Sequence, residues 1–297
     1  FFFFFTTTQN NNKMFNKDFG KSANDFLTKD FPSNFEAELV SNTPGSLKVT
    51  SNISQNADGT FTNSIKPTFR VFDKADAEVT LCSDGTRSIK LSGKDVIINN
   101  LKSSLTFEAK GSRDDAGNVT DICSATYAED FTYKSMTSSL KVVVPCCNFL
   151  TPRVTAGGVY VHNANYAVGA EGQFNLGTDQ VFQKGTVNAQ YTCEKFVGTV
   201  SATSAGNNVT VGSKFFYVHP KFIFAAGGNF GNAFSGEVAF GKALLGGALT
   251  KVALRTNGTV GVSYKNRICE HTQMTVGAEV DVNTHQHKIG FAFDFAM

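Results

Sequence analysis

Beyond about residue 35 the chain alternates apolar and polar side chains almost without a break. Leu47, Val49 and Ile53 alternate with Lys48, Thr50 and Asn52, and Phe61, Ile65, Phe69 and Val71 with Thr62, Ser64, Lys66, Thr68 and Arg70. Ala75, Ala77, Val79 and Leu81 oppose Asp76, Glu78 and Thr80; Leu101, Leu105, Phe107 and Ala109 oppose Lys102, Ser104, Thr106, Glu108 and Lys110. Side chains on a strand point to opposite faces with period two, so each run has one apolar face and one polar, charged face. Asn56-Ala57-Asp58-Gly59 and Ser83-Asp84-Gly85-Thr86 read as hairpin turns between such runs, and Arg113-Asp114-Asp115-Ala116-Gly117-Asn118 follows the run that ends at Lys110. Residues 119–152 are the least regular, with Pro145 and Pro152 marking edges or turns. Strands are then predicted near 153–162, 165–176, 181–193, 196–204, 208–219, 221–230, 235–244, 247–256, 259–268 and 272–283. The last runs from Gln286 to Phe295, with Ile289, Phe291, Phe293 and Phe295 on one face and Lys288, Gly290, Ala292 and Asp294 on the other.

The period changes only near the start. Phe15, Phe19, Ala23, Phe26 and Leu27 fall within an arc of about 120° when projected as a helix, with Lys17, Lys21, Asn24 and Thr28 opposite. Gly20 weakens this helix and Pro32 closes it. Such a helix could pack on a soluble sheet, lie at a membrane interface, or dock inside a barrel. Residues 1–13 (FFFFFTTTQNNNK) are read as a low-complexity tail without the features of a signal peptide, with Met14 a candidate start. The division expected is therefore 1–13 tail, 14–32 amphipathic helix and 33–297 barrel.

In a soluble barrel the apolar faces would point inward. So many strands enclose a lumen that apolar side chains cannot fill, so the apolar face belongs outside, against lipid, and the polar face around water. A Lys or Arg turned to lipid at mid-bilayer costs about 2–4 kcal/mol, and a one-residue slip in register would impose that along a strand. Closure also satisfies every edge N–H and C=O, which hydrocarbon cannot. Composition agrees: 29 Phe and 27 Gly against 6 Pro and no Trp. No run of eighteen apolar residues provides a transmembrane helix, and a mean hydropathy of −0.13 is what alternation produces. A net charge of +2 is too small for a nucleic-acid partner. The six cysteines are scattered and do not read as a disulfide framework.

Three stretches resemble one family. Asp18-Phe19-Gly20-Lys21-Ser22-Ala23-Asn24-Asp25-Phe26-Leu27-Thr28-Lys29 is similar to the D-x-G-K-x-A-x-D-x-x-x-K helix of mitochondrial porins, the voltage-dependent anion channels. His287-Lys288-Ile289-Gly290-Phe291 is similar to their H-K-x-G-x ending, and Leu101 to Phe107 to the region of their G-L-K motif. The resemblance spans about residues 15–297. It implies an all-β membrane protein: a single 19-stranded up-and-down transmembrane β-barrel, first and last strands parallel, with the N-terminal amphipathic helix in the pore. It also implies a channel of the mitochondrial outer membrane that passes ATP, ADP and phosphate and is voltage-gated. Lys288, Gly290, Phe293 and Phe295 fit the C-terminal membrane-insertion signal of such barrels. Two positions depart from the family. Asn100 replaces the Gly of G-L-K, which puts nucleotide binding there in doubt. Leu81 stands where animal members place a lipid-facing Glu on the fourth strand.

If the polar face lines the pore, its cations include Lys48, Lys66, Arg70, Lys90, Lys102, Lys110, Lys214, Lys251, Arg255, Lys265 and Lys288. Lys17, Lys21 and Lys29 add to them from the helix. Facing them are Glu36, Glu38, Glu78, Glu108, Glu279, Asp281 and Asp294, with Asp18, Asp25 and Asp30 on the helix. The modest positive excess predicts weak preference for anions and small metabolites. His285 and His287 are expected to share a strand face but have no third ligand, so neither metal nor cofactor is expected. No Ser/His/Asp or paired-carboxylate arrangement suggests an enzyme. Partners expected are the bilayer and permeating nucleotides and small anions, not nucleic acid; self-association or docking to other mitochondrial membrane complexes stays open. Two alternatives are a protein-conducting pore of the outer-membrane translocase and a structural porin-like subunit of a larger assembly.

Overall fold

The computed structural model describes residues 14–32, 34–43, 47–56, 58–96, 98–113, 119–145, 151–178, 181–244 and 247–296. The tail 1–13 and residues 114–118 of the stretch Arg113–Asn118 lie outside these. Nineteen strands follow a short helical segment. In chain order they begin β1 (Phe35–Thr43), β2 (Leu47–Gln55), β3 (Phe61–Phe72), β4 (Ala75–Cys82), β5 (Thr86–Lys94), β6 (Leu101–Arg113) and β7 (Val119–Tyr133). Next come β8 (Met136–Pro145), β9 (Arg153–Val161), β10 (Tyr166–Asn175), β11 (Phe182–Thr192), β12 (Phe196–Ala205) and β13 (Asn208–His219). The last six are β14 (Phe222–Phe230), β15 (Phe234–Ala243), β16 (Leu249–Arg255), β17 (Thr259–Cys269), β18 (Thr272–Asp281) and β19 (Gln286–Ala296).

Each strand pairs antiparallel with the next, and β1 closes the sheet by pairing parallel with β19, from Phe35↔Phe291 to Val40↔Ala296. An odd strand count makes that parallel seam unavoidable in an up-and-down barrel. Among the described residues no helix is long and apolar enough to cross a membrane. The stretch expected to be irregular forms β7, the longest strand at 15 residues, and β8. Small and hydroxyl side chains (Ser124, Ala125, Thr126, Ala128) sit on both its faces, so its alternation carries little hydropathy contrast.

Register fixes which face is which. Ile53, Phe61, Ile65, Leu81, Phe107, Val187, Val200, Val262 and Ile289 all point outward and are 43–60% exposed. A contiguous apolar surface of this extent belongs against hydrocarbon. Aromatic rings gather toward one end of the outer face. Tyr166, Tyr191, Phe196, Phe215 and Phe224 follow one another across β10–β14 at centroid separations of 4.5–6.1 Å, as in the interfacial girdles of membrane barrels. Glu129 of β7 is an exception on this face. It lies opposite Ser103 and Leu140 and accepts a hydrogen bond from the Tyr127 hydroxyl.

The two predicted Asp-Gly turns form as expected. Gly59 and Gly85 take the left-handed φ of 83° and 84° that such turns require. Asp58 and Asp84 each accept the backbone N–H two residues on, at 2.9 Å. Hydrogen bonds from Thr60 and Thr86, respectively, hold these exposed carboxyls below the usual range.

Candidate functional site

Inside the barrel, residues 14–32 run along one wall. The helix predicted over 15–27 is broken: a 3₁₀ turn at Asn16–Asp18 and α1 (Lys21–Thr28) are separated by Phe19-Gly20. Gly20 has φ 63°, a left-handed conformation that other residues rarely adopt, and its N–H donates to Oε1 of Gln190 at 3.0 Å. The break turns both pieces toward the wall. Met14 and Phe19 pack on Val159, Val161 and Ala167, and the Thr137 hydroxyl donates to the Met14 carbonyl. Ala23, Phe26 and Leu27 pack on Val197, Phe216, Ile223, Ala225, Ala239 and Ala253. Leu27 is completely buried, and Phe26 meets Phe216 edge-on at 5.8 Å. Burying Phe26 and Leu27 is worth about 1.5–3 kcal/mol each. Gly241 makes room, because a Cβ there would stand 2.6 Å from the Phe26 ring. Of the three placements open to an amphipathic segment, this chain adopts docking inside a barrel.

The segment is fastened at its C-terminal end by charge. Lys251 Nζ lies 2.9 Å from Asp30 Oδ2 and Lys265 Nζ 2.8 Å from Asp30 Oδ1. Lys251 is 2% exposed, donates to the carbonyls of Lys29 (3.0 Å) and Phe26 (3.4 Å), and stands over the rings of Phe26 and Phe31. Burial alone would raise the Asp30 carboxyl, but hydrogen bonds from Lys265 and Lys251 outweigh it and hold it below the ordinary value. Beside this cluster Arg255 bridges Glu237 of adjacent β15 at 3.7 Å and, across Gly261 of β17, Glu279 of β18 at 2.7 Å. Lys214 donates to the Asn24 side chain at 2.9 Å.

From Phe31 the chain crosses the wall to enter β1 through a slot of glycines. Phe31 lies over Gly261, Pro32 over Gly277, and Asn34 over Gly290. Gly277 and Gly290 are cross-strand partners, and the Phe291 N–H donates to the Asn34 carbonyl at 3.1 Å. A Cβ on Gly290 would fall 2.5 Å from the Asn34 nitrogen, so close passage of backbone requires glycine there.

The sequence-predicted cations divide into two groups. Lys48, Lys66, Arg70, Lys90, Lys102 and Lys110 lie on the luminal face of β2–β6, which the segment leaves open. Lys214, Lys251, Arg255 and Lys265 lie on the opposite wall, at or beneath the segment. Lys17 reaches from the segment to Asp130 of β7 at 3.4 Å, Lys29 pairs with Asp25 at 3.1 Å, and Lys21 is exposed. Of the four residues fitting an insertion signal, Lys288 and Gly290 face the lumen and Phe293 and Phe295 the exterior. His285 and His287 do not share a strand face: His285 sits in the β18–β19 turn with φ 56°, and His287 is the second residue of β19, opposite Val280. Among the described residues no group of three or more His, Cys, Asp and Glu could hold a metal.

Sequence reading missed Lys94, Lys141, Arg153 and Lys184 on the luminal face, with Asp130, Glu171 and Glu237. Parity along strands already predicted could have found Arg153, Glu171, Lys184 and Glu237, whereas Asp130 and Lys141 needed β7 and β8 to be recognised. The segment's seat also left a mark, in the runs Phe215–Val218 and Phe222–Ala226. These are apolar on both faces, the pattern of a strand covered on both sides.

Residues 15–290 match the model of the eukaryotic porin family. Among curated protein sequences none matches the chain significantly.

Proposed function

Because the chain belongs to the eukaryotic porin family and forms an outer-membrane β-barrel channel, we propose that it serves the mitochondrial outer membrane. There it passes small anions and metabolites such as ATP, ADP and phosphate by diffusion, with weak anion preference. The observation that carries this reading is the open luminal wall. On β2–β8 it presents lysines at Lys48, Lys66, Lys90, Lys94, Lys102 and Lys141, none of which makes an ion pair among the described residues. Ammonium groups standing in water along an ion path enrich anions there.

Voltage-dependent closure belongs to the same reading. The docked segment carries Lys17, Lys21 and Lys29 against Asp18, Asp25 and Asp30, so its own displacement moves no net charge through the field. The field is then felt by charges of the wall. Purified protein in planar bilayers tests both parts. A conducting pore whose reversal potential across a KCl gradient favours chloride, and whose conductance falls at high voltage of either sign, is expected. Cation preference in the fully open state overturns the selectivity assignment.

A further inference from the structure

Anion preference requires cations near the ion path, and the luminal cations are not equivalent in that respect. The segment lies over β9–β18, so α1 stands between the water and Lys251, while Lys214 and Lys265 are partly covered and bonded to Asn24 and Asp30. On the open side Lys94, the last residue of β5, lies directly opposite Lys102 of β6. Like charges facing each other across a strand pair repel, and neither ammonium has a carboxylate partner among the described residues. The acid nearest in register is Asp130, directly opposite Lys102 on β7. It is engaged by Lys17 of the docked segment instead. One row further in, Lys141 of β8 also faces the lumen.

We infer that selectivity resides on this one wall, at the Lys94–Lys102 pair with Lys141, and that Lys17 is a positioning residue that keeps Asp130 from neutralising Lys102. The cations under the segment hold the segment and contribute little to the choice of ion. This rests on the channel reading above and assigns its selectivity to residues.

The magnitudes separate the two groups. A unit charge about one Debye length from the ion path, roughly 8–10 Å in physiological salt, changes the anion-to-cation permeability ratio by roughly 1.5-fold at the dielectric of water. Behind a helix about 10–12 Å thick the same charge lies about two Debye lengths away, and its effect falls to roughly 1.1-fold.

Reversal potentials of single variants, each changing the pore by one charge, test the assignment. K94Q, K102Q and K141Q are each expected to lower the permeability ratio by roughly 1.5-fold; the covered wall is read at Glu279, which pairs with Arg255 and does not fasten the segment. Acids give the mirror image and guard against a lysine variant that fails to insert. E78Q, on the open wall, raises the ratio, and E279Q, beside Arg255, does not. Lys17 is read through pairwise coupling: after K17Q frees Asp130 to reach Lys102, K102Q has a smaller effect than in the parent protein. Equal shifts from both walls, or additive K17Q and K102Q effects, overturn the inference even when the parent channel prefers anions. A parent channel without anion preference overturns the channel's selectivity reading instead.

Discussion

Replacing Asp30 by Asn removes the charge that holds the segment's end and keeps its shape. Asp30 has φ 65°, and Asn tolerates that left-handed conformation about as well as Asp, so the substitution probes charge and not backbone strain. It leaves Lys251, 2% exposed, and Lys265 without their shared carboxylate. Breaking a buried pair from one side costs about 3–5 kcal/mol. Two moderating features lower that figure: Asp30 itself is 21% exposed, and Lys251 keeps two carbonyl acceptors and two ring faces. A loss of about 2–3 kcal/mol in docking is expected, which raises the undocked population by roughly 30- to 150-fold. Amide hydrogen exchange of residues 21–28 in lipid vesicles reads that population directly. The control is D25N, which removes the exposed Asp25–Lys29 pair within the segment and should change exchange by less than about 2-fold. Exchange in D30N no faster than in D25N would refute a charge-held segment.

The remaining predictions use the same structure. The docking contribution of Asp30 is full above its free value near 3.8 and is lost as pH falls through the lower docked value. Protection of the segment's amides, taken relative to the intrinsic exchange rate at each pH, should therefore be constant from pH 7 to 5 and fall only in acid below the ordinary carboxylate range. G290A forces a Cβ against the Asn34 backbone and should cost about 1–3 kcal/mol, seen as a lower denaturation midpoint of the folded barrel; an unchanged midpoint would refute the slot. E129L removes a carboxyl from the outer face and should stabilise the barrel in vesicles by about 1–2 kcal/mol, less the value of the Tyr127 hydrogen bond; a loss of stability would show that Glu129 is satisfied by something other than hydrocarbon.

Alternation alone was enough to separate the faces of most strands, because a one-residue register slip would carry charge into lipid along a whole strand. It failed at β7 and β8 for a physical reason. Ser124, Thr126 and Ala128 face the lumen and Ala125 the exterior, and such small side chains are tolerated on either side. The N-terminal period was also real, but it hid the break at Gly20. A helix wheel takes no account of backbone conformation, and only the meeting of the Gly20 N–H with Gln190, 170 residues away, shows why the turn is there.

The luminal chemistry was legible as a list of residues and not as an arrangement. Parity places Lys102 and Lys251 on the same face of the sheet, and nothing in their local sequence tells them apart. What separates them is the segment, whose apolar side seeks the runs Phe215–Val218 and Phe222–Ala226 and so settles on β13–β15. Once it lies there, Asp30 reaches β16 and β17, Lys251 is enclosed, and the opposite wall is left to water. The glycine of the C-terminal H-K-x-G-x stretch illustrates the same dependence. Read alone, Gly290 belongs to an insertion signal; in the folded barrel it is where the chain from the pore crosses into the first strand. A glycine kept for that crossing would be required whether or not any insertion machinery reads it. G290A therefore separates the two roles: slow insertion with a normal denaturation midpoint would assign Gly290 to the signal, and normal insertion with a lowered midpoint would assign it to the crossing.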